Sequence, residues 1–470
     1  MKKFLLYLLF VCNLTAIIYL WINGSRYYLT AGDGSGLLIA MGRLMGLLAE
    51  FFILLQLILV GRITVIEQQF GHDRLNQLHR WVGYSIAIFL LGHPLLLTFG
   101  YGQLSQVSFI SQFSNFILNW EDVFKAFLAL LLFVSVIISS VVIIKKRLRY
   151  ETWYFTHLLM YVAIALAFGH QTKTADVSEG AAMYYWLTIN FTVFGLILVY
   201  RWLAPFYRFF LHKFYIEKVV QEAADVYSIY LKGKDLKRYK FLPGQFANLT
   251  FLQTGMWPTP PLLNNSDITK SNHTKIVNKL FSIFRQIKGA GFTHPFSFSA
   301  APNGEYLRFS IKTSGDFTDK ISRLKANTKV IIDGPLGIFT ANQAKNTKFL
   351  LLAGGIGITP IRALAEQLVE QKTDCVILYG CKTEKDIVFK NEFIALNLKL
   401  FFLLSQTPSL PAGNLLPGRI SAEKIKLLAP DYLEREIYLC GPPTMTQSVL
   451  ADLSTLGVPK SQIHYEKFNY

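Results

Sequence analysis

Charged residues are scarce in this sequence: they make up 16% of its 470 residues, whereas 52% are hydrophobic. Because an average soluble domain has about 25% charged residues, this balance points away from an ordinary soluble protein. Cysteine is also scarce, and the four cysteines show no paired or metal-ligand spacing. There is no C-x-x-C-H segment, which excludes covalent attachment of c-type haem, and no disulfide framework is expected.

The charge that is present is strongly positive, with a net value of +17. Many of the basic residues lie beside apolar segments, where membrane topology explains them, so no nucleic-acid partner is predicted. The N-terminal run "MKKFLLYLLFVCNLTAIIYLW" has about 19 apolar residues, longer than a usual signal-peptide core, and no small-residue cleavage site follows. It therefore predicts a retained first membrane helix.

Six apolar spans are predicted, each near the roughly 20 residues that cross a bilayer: 4–22, 37–60, 79–99, 122–144, 153–170 and 184–204. Basic residues are concentrated on one side of these spans, and this asymmetry predicts that both termini are cytoplasmic, in a plasma membrane or bacterial inner membrane. The predicted outer loops carry only Arg26 and Lys173. The predicted cytosolic flanks carry Lys2, Lys3, Arg62, Arg74, Arg80, Lys145, Lys146, Arg147, Arg149, Arg201, Arg208 and Lys213.

The pattern changes after residue 213. Alternating strands such as "VYSIYLKG" and Pro/Gly turns predict an antiparallel β-barrel domain over 214–345. From 346 to 470, continuous apolar strands alternate with helices, which predicts a parallel α/β domain. Within the barrel, an insert at 254–292 contains a basic amphipathic segment that either lies on the anionic leaflet or packs on the barrel. The membrane-spanning domain is accordingly 1–213.

Four histidines lie inside the predicted spans, where each polar side chain needs a partner. His79 and His93 share the third span, and His157 and His170 share the fifth. Separations of 14 and 13 residues correspond to roughly 20 Å of helix, so the spacing predicts two stacked levels, His79 with His157 and His93 with His170. Two imidazoles per level suit the axial positions of a b-type haem, whereas zinc usually needs four ligands at one level. A separation of 13 residues also changes helix face, which predicts that the fifth span is kinked or unevenly wound, with Gly169 as one place where it could yield.

The segments "THPFSFSA", "FSIKTSGDF" and "VIIDGPLGIF" follow one another in the barrel region. This order resembles the ferredoxin-reductase-type flavin domain of NADPH oxidases and ferric reductases. The resemblance implies an FAD site formed by His294, Pro295, Phe296 and Ser297, with Lys312 near the FAD pyrophosphate.

The segment "LLLAGGIGITPIRAL" is a strand, a glycine turn and a helix start, suited to approach phosphate. It is similar to the G-x-G-x-T-P turn of the same superfamily, which implies nucleotide binding at Gly355, Gly357, Thr359 and Pro360. "YLCGPPTM" is similar to the family's C-G-P-x-x-M segment. That implies binding roles for Gly441 and Pro442, and a role for Cys440 in positioning the nicotinamide, although a purely structural cysteine is the alternative. Lys382 and Arg419 match positions for the 2′-phosphate, which favours NADPH over NADH.

The resemblance implies roles for three more positions. A C-terminal aromatic stacks on the flavin in this superfamily, which points to Phe468 first and Tyr470 second. Arg43 and Arg62 match arginines that serve haem propionates, with Arg43 at the oxygen-reducing side; interfacial snorkelling is the alternative, especially for Arg62. Leu97 replaces a further histidine of the animal oxidases.

We therefore expect a six-span helical membrane bundle joined to a cytosolic ferredoxin-reductase-like module, with two haem b groups, FAD and NADPH as cofactors. The expected function is transmembrane electron transfer to an outer acceptor, with oxygen giving superoxide as the leading hypothesis. A ferric-chelate reductase and an electron donor to a periplasmic or extracellular redox partner are the alternatives. No regulatory subunit is identified.

Overall fold

The computed structural model of the chain describes residues 2–141, 150–173, 177–253, 293–315, 317–406 and 413–467. The chain divides into two compact units: residues 1–70 with 74–201, and residues 71–73 with 202–470. The predicted insert at 254–292 and the C-terminal aromatics Phe468 and Tyr470 lie outside the described residues.

The first unit is built from long apolar helices. They are α1 (Lys2–Gly24), α2 (Gly34–Val60), α3 (His72–Leu104), α4 (Val123–Ser140), α5 (Tyr150–Gln171) and α6 (Gly180–Ile197). A π-helix (Leu198–Leu203) and a further helix (Ala204–His212) follow α6, and shorter helices lie at Arg26–Thr30, Thr64–Phe70 and Phe109–Asn119.

Five helices among the described residues are long and apolar enough to cross a membrane: α1, α2, α3, α4 and the continuous segment Gly180–His212. The predicted fifth span lies within α5, which is not one of these five although its 22 residues reach the length that spanning requires. Ile53, Leu54, Ile86, Phe133 and Ile164 are among the buried side chains that form the core between these helices.

The second unit, which includes the helix Ala204–His212, continues with two three-stranded antiparallel sheets. Their strands are β1 (Tyr215–Ala223), β2 (Val226–Lys232), β3 (Phe246–Phe251), β4 (His294–Ser297), β5 (Leu307–Lys312) and β6 (Val330–Leu336), ordered β1-β2-β5 and β4-β3-β6. Bridges between Phe298 and Phe309 and between Tyr215 and Lys329 join the sheets at both edges. This closes the predicted antiparallel barrel around a core in which the Phe241 and Phe298 rings stack at 4.0 Å.

A six-stranded parallel sheet follows, as the continuous apolar runs predicted. Its strands are β7 (Lys348–Gly354), β8 (Cys375–Cys381), β9 (Lys399–Leu404), β10 (Leu415–Pro417), β11 (Arg435–Gly441) and β12 (Ile463–Lys467), in the order β10-β9-β8-β7-β11-β12. Helices α7 (Ile358–Glu370), α8 (Lys390–Ala395), α9 (Ala422–Leu428) and α10 (Pro443–Thr455) connect them. The predicted fold class, a helical membrane region followed by a barrel and a parallel α/β sheet, is confirmed.

Candidate functional site

The four histidines of the membrane unit form two pairs. The ring centroids of His79 and His157 lie 6.2 Å apart, and those of His93 and His170 lie 6.1 Å apart, both with an angle of 56° between the ring planes. Helix α3 supplies the first member of each pair and helix α5 the second. The structure therefore brings together the residues that the spacing placed at each level.

The separation within each pair fits one metal ion held between two imidazoles. A ligating imidazole nitrogen lies about 2 Å from its metal, so two rings that share a metal have centroids roughly 6 Å apart. Among the described residues, no group of three or more His, Cys, Asp or Glu side chains is close enough to hold a metal ion. Two ligands per level match the axial requirement of haem iron and not the four-ligand requirement of structural zinc.

One ring of each pair is held by a polar contact of its Nδ1 atom. His93 Nδ1 donates to the backbone carbonyl oxygen of Gly42 at 2.8 Å. His157 Nδ1 lies 3.3 Å from Ser140 Oγ. A histidine whose Nδ1 is engaged in this way coordinates a metal through Nε2, and the bond fixes the tautomer that does so.

Helix α5 extends without interruption from Tyr150 to Gln171, through both histidines. Gly169, where the helix was expected to yield, allows a close approach, because a Cβ atom there would lie 2.9 Å from Asp122 Oδ2.

Helix α2 packs beside the outer pair. A Cβ atom on Gly46 would lie 2.6 Å from His93 Nδ1, and one on Gly42 would lie 2.9 Å from the Leu97 side chain. Leu97, which stands where the animal oxidases have a further histidine, thus packs against α2. The Arg43 guanidinium lies 5.5 Å from the centroid of the Tyr28 ring. Arg62 follows α2 with a positive φ of 54°.

Two polar residues of the membrane unit were not singled out from the sequence. Glu50 in α2 is buried and accepts a hydrogen bond from Gln171 Nε2 at 2.8 Å, and Trp186 donates to the same glutamine at 3.1 Å. Arg201 donates to the carbonyl oxygen of Val60 at 3.0 Å. The available signal was an ionisable residue inside an apolar span, which is costly unless it is partnered.

In the second unit, four of the five predicted flavin residues line one cleft. Pro295, Phe296 and Ser297 of β4 share this lining with Lys312 of β5 and with others that include Ile356 and Thr359, whereas His294 is not part of it. The Ser297 hydroxyl is buried and has no hydrogen-bond partner among the residues that the structure describes. A buried donor without a partner is costly, so a ligand ring atom in this cleft would satisfy it, which fits the expected isoalloxazine contact.

Two charged or titratable residues flank this cleft. Lys312 Nζ lies 2.9 Å from Asp225 Oδ2 in a half-exposed ion pair. The His294 ring lies 3.9 Å from the Phe317 ring, centroid to centroid. Burial lowers the pKa of His294 to about 4, so its imidazole is neutral at physiological pH and presents no positive charge to a flavin.

The glycine turn lies at the point where the parallel sheet changes direction. From β7 the chain proceeds outward to β8, β9 and β10, then returns to β11 on the other side of β7. Gly355 has a φ of +51°, and a Cβ atom on Gly357 would lie 2.3 Å from the carbonyl oxygen of Cys440. Thr359 Oγ1 donates to the carbonyl oxygen of Ile356 at 3.0 Å, and Pro360 is in the first turn of α7. Nucleotides bind at such a switch point in open parallel sheets.

Cys440 lies at the end of β11, opposite Ala353 of β7 and Glu466 of β12. Its side chain is completely buried. Burial, with the negative charge of Glu466 nearby, raises the pKa of the Cys440 thiol well above its ordinary value. A neutral, buried thiol is unsuited to nucleophilic attack. This agrees with a positioning role for Cys440, which needs no reactive thiolate.

The remaining nucleotide candidates lie at the same edge of the sheet. Lys382 follows the carboxyl end of β8, Arg419 follows β10, and Gly441 and Pro442 connect β11 to α10. Lys382 and Arg419 are exposed. The sheet topology therefore collects these residues and the glycine turn at one edge.

Two family models match separate parts of the chain. Residues 45–168 match the ferric reductase like transmembrane component, and residues 351–450 match the oxidoreductase NAD-binding domain. The first match contains α3 and most of α5, and the second contains the glycine turn and Cys440. Together with the apolar helices, the first match identifies a membrane protein.

Curated relatives match about half of the chain. The glycine betaine monooxygenase reductase subunit of Pseudomonas aeruginosa is 27% identical over 262 residues, covering 53% of this chain and 62% of the relative. A flavohemoprotein of Bacillus cereus is 27% identical over 276 residues, covering 54% and 60%. The match thus spans about three fifths of the length of these relatives.

Among solved structures, the flavohem-like FAD/NAD binding domain of nitric oxide dioxygenase from Vibrio cholerae is 24% identical. It has a TM-score of 0.41 and covers 54% of this chain and 98% of that domain.

Proposed function

We propose that this protein is a transmembrane flavocytochrome b. Its chain combines a ferric reductase like transmembrane component with an oxidoreductase NAD-binding domain, which is the architecture of the NADPH oxidase and ferric reductase superfamily. Electrons from cytosolic NADPH pass through FAD and two haem b groups to an acceptor on the opposite side of the membrane. Oxygen, giving superoxide, is the acceptor we favour.

The observation that carries this proposal is the pair of histidine couples on α3 and α5. Each couple has the ring separation that one axially ligated iron requires, and the two couples lie along the same two helices. A single couple would provide one haem site but no electron path from one side of the membrane to the other. Two couples stacked along membrane helices provide a path for electrons across the bilayer.

The bound groups would supply the redox chemistry: a flavin accepts two electrons as a hydride and releases them singly, and haem iron carries one electron at a time. The residues of the second unit would bind and orient. Ser297 would donate its unpartnered hydroxyl to the flavin ring, and Lys312 would face the pyrophosphate as a point charge. The glycine turn and the N-terminus of α7 would hold the nucleotide phosphates.

Cys440 and its neighbours would place the nicotinamide. The switch point between β7 and β11 lies beside Cys440, Gly441 and Pro442. Lys382 and Arg419, at the same edge, would bind the 2′-phosphate, which makes NADPH the preferred donor. Phe468 or Tyr470 would cover the flavin until the nicotinamide displaces it.

At the outer level, the site would be shaped by Arg43, which follows directly after Gly42, the residue whose carbonyl oxygen accepts the hydrogen bond from His93. A fixed positive charge beside the outer haem would stabilise a propionate or a developing superoxide anion. Two electrons from one NADPH would reduce two oxygen molecules to two superoxide anions, with one proton released in the cytosol.

Membranes that contain the protein test this acceptor directly. When NADPH is added, an added tetrazolium dye should be reduced, and superoxide dismutase should suppress most of that reduction. Membranes without the protein are the control. Oxygen is the wrong acceptor if the haems are reduced by NADPH while the dye reduction is insensitive to the dismutase.

A ferric chelate is the second candidate acceptor, favoured by the family model that matches residues 45–168. The same electron path would serve it, and only the outer acceptor would differ. Comparing the turnover of oxygen and of an Fe(III) chelate by the purified protein separates the two candidates.

The excess of basic residues on one side of the spans supports a plasma or bacterial inner membrane location, with both termini in the cytoplasm.

A further inference from the structure

An ionic cluster of two buried arginines and one partly exposed glutamate joins the barrel to the parallel α/β sheet within the second unit. Its members are Arg308 on β5 of the barrel, and Arg362 on α7 with Glu392 on α8 of the α/β sheet. The Arg308 and Arg362 side chains are 2% and 8% exposed. Charges removed from water to this extent need partners.

The Glu392 carboxylate is shared by both arginines. Arg308 binds it with two hydrogen bonds, Nη1 to Oε1 at 2.7 Å and Nη2 to Oε2 at 3.1 Å. Arg362 Nε lies 2.8 Å from Oε2 of the same carboxylate. The Arg308 guanidinium also lies 4.6 Å from the centroid of the Phe389 ring, which directly precedes α8.

Both arginines also bind the barrel backbone immediately after the flavin strand. The carbonyl oxygen of Ser299 accepts hydrogen bonds from Arg308 Nη2 at 2.7 Å and from Arg362 Nη1 at 3.3 Å. Arg362 pairs in addition with Glu366, whose Oε2 accepts the backbone N–H of Ala301 at 2.7 Å. Ser299 is two residues beyond Ser297, and Arg362 is three residues beyond Thr359.

We infer that Arg308, Arg362 and Glu392 are positioning residues for hydride transfer, which hold the end of the flavin strand β4 at a fixed distance from the nucleotide helix α7. This inference rests on the proposed function, because it assigns the cluster to the step between NADPH and FAD. None of the three residues lines the flavin cleft, so the cluster would act through Ser297 on one side and Thr359 on the other. A bidentate arginine and carboxylate pair suits this role because its geometry is fixed by two parallel bonds.

Burial raises the pKa of Glu392, but hydrogen bonds and charge from Arg308 and Arg362 outweigh that effect, so its pKa lies below the ordinary value. The carboxylate is therefore charged throughout the physiological range. Loss of that charge would leave two buried arginines without their shared partner and would loosen the contact between the two halves of the module.

The test uses the full-length protein reconstituted with FAD and haem. In the wild type and in Glu392→Gln, anaerobic stopped-flow absorbance measures the rate of flavin reduction at saturating NADPH. Because small misplacement of reacting groups slows reactions steeply, we expect Glu392→Gln to reduce its flavin about ten- to a hundredfold more slowly. Its FAD content and the extent of haem reduction by dithionite should equal those of the wild type.

Two further variants make the result decisive. Glu434→Gln removes an exposed ion pair with Lys348 that lies wholly within the α/β half, and it should reduce its flavin at the wild-type rate. Glu392→Asp keeps the negative charge among the arginines but shortens its reach, so it should be slower than the wild type by several-fold. It carries the test if Glu392→Gln does not fold.

The inference is overturned if the Glu392 variant that folds reduces its flavin within twofold of the wild-type rate, or if Glu434→Gln is slowed to the same extent. A wild-type protein whose flavin is not reduced by NADPH would contradict the proposed function itself, whatever the variants do.

Discussion

At the scale of single residues, the outer histidine pair depends on a glycine that the sequence pattern does not mark. Gly46 lies in an apolar helix among other small residues, and only the structure shows that it faces the His93 ring. The hydrogen bond from His93 Nδ1 to the Gly42 carbonyl oxygen needs the Nδ1 edge of the ring to lie against α2 at this point. His93 itself was predictable as a candidate ligand because a histidine inside an apolar span is costly and needs a partner.

Replacing Gly46 with alanine tests this contact. The added Cβ would lie 2.6 Å from His93 Nδ1, so the ring must leave its hydrogen bond with Gly42. We expect the signal of the outer haem to be lost or shifted, with the inner haem signal retained, in a redox titration followed by absorbance. Gly195→Ala is the control, because no atom lies within 4 Å of a Cβ built there. Equal spectra for Gly46→Ala and the wild type would refute the packing argument.

At the scale of secondary-structure elements, local motifs were predictable and long-range clusters were not. The segment at 350–364 has the order of residues that forms a strand, a glycine turn and a helix, and β7 and α7 form there. The Arg308, Arg362 and Glu392 cluster is absent from any local pattern, because its members are separated by 54 and 30 residues of sequence (308 to 362, 362 to 392) and meet only through the fold.

The turn after β7 gives a prediction about close packing. In Gly357→Ala, the new Cβ would lie 2.3 Å from the backbone carbonyl oxygen of Cys440, and backbone cannot move aside as a flexible side chain can. We expect the free energy of unfolding to fall by about 1–3 kcal/mol, with slower flavin reduction by NADPH. Thermal unfolding of the FAD-bound protein measures the first effect. Gly380→Ala on β8 has 3.6 Å to its nearest neighbour and should unfold near the wild-type temperature; a similar loss in both variants would contradict this explanation.

The start of β11 gives a prediction about pH. Buried Arg435 is bound by Asp431, Nε to Oδ1 at 2.6 Å, and by Asp374, Nη2 to Oδ2 at 2.9 Å. The hydrogen bonds from Arg435 lower the pKa of Asp431 in the folded protein. A lowered carboxyl pKa stabilises the fold above the unfolded value of about 4, and this contribution is lost as the pH falls through the folded pKa.

Asp431→Asn should therefore unfold at a lower temperature than the wild type at about pH 7, and the difference should shrink as the pH falls below about 4. Calorimetry or FAD release on heating measures both temperatures. Glu423→Gln, at an exposed position in α9, serves as the control and should show little difference at either pH. A gap between Asp431→Asn and the wild type that is constant with pH would rule out the ion pair as its cause.

At the scale of the whole molecule, composition and the period of the apolar residues predicted the order of structural regions that the structure has. Scarce charge and long apolar runs indicated the membrane helices, and the change of period after residue 213 indicated a barrel and then a parallel sheet. The identity of the outer acceptor could not be predicted from the sequence, because it depends on a few side chains such as Arg43 and Leu97 whose partners only a folded chain brings together. The proposed electron path through the two histidine pairs does not depend on which acceptor is used.

That path is tested most directly by adding NADPH anaerobically to full-length protein containing FAD and recording the reduced-minus-oxidised spectrum of the wild type, His93→Ala and His157→Ala. The wild type should show the low-spin b-type signal of two haems. Both variants should lose low-spin signal while their flavin is still reduced by NADPH, because each removes one axial ligand from one level. A haem spectrum unchanged in either variant would contradict the assignment of the histidine pairs as the haem ligands.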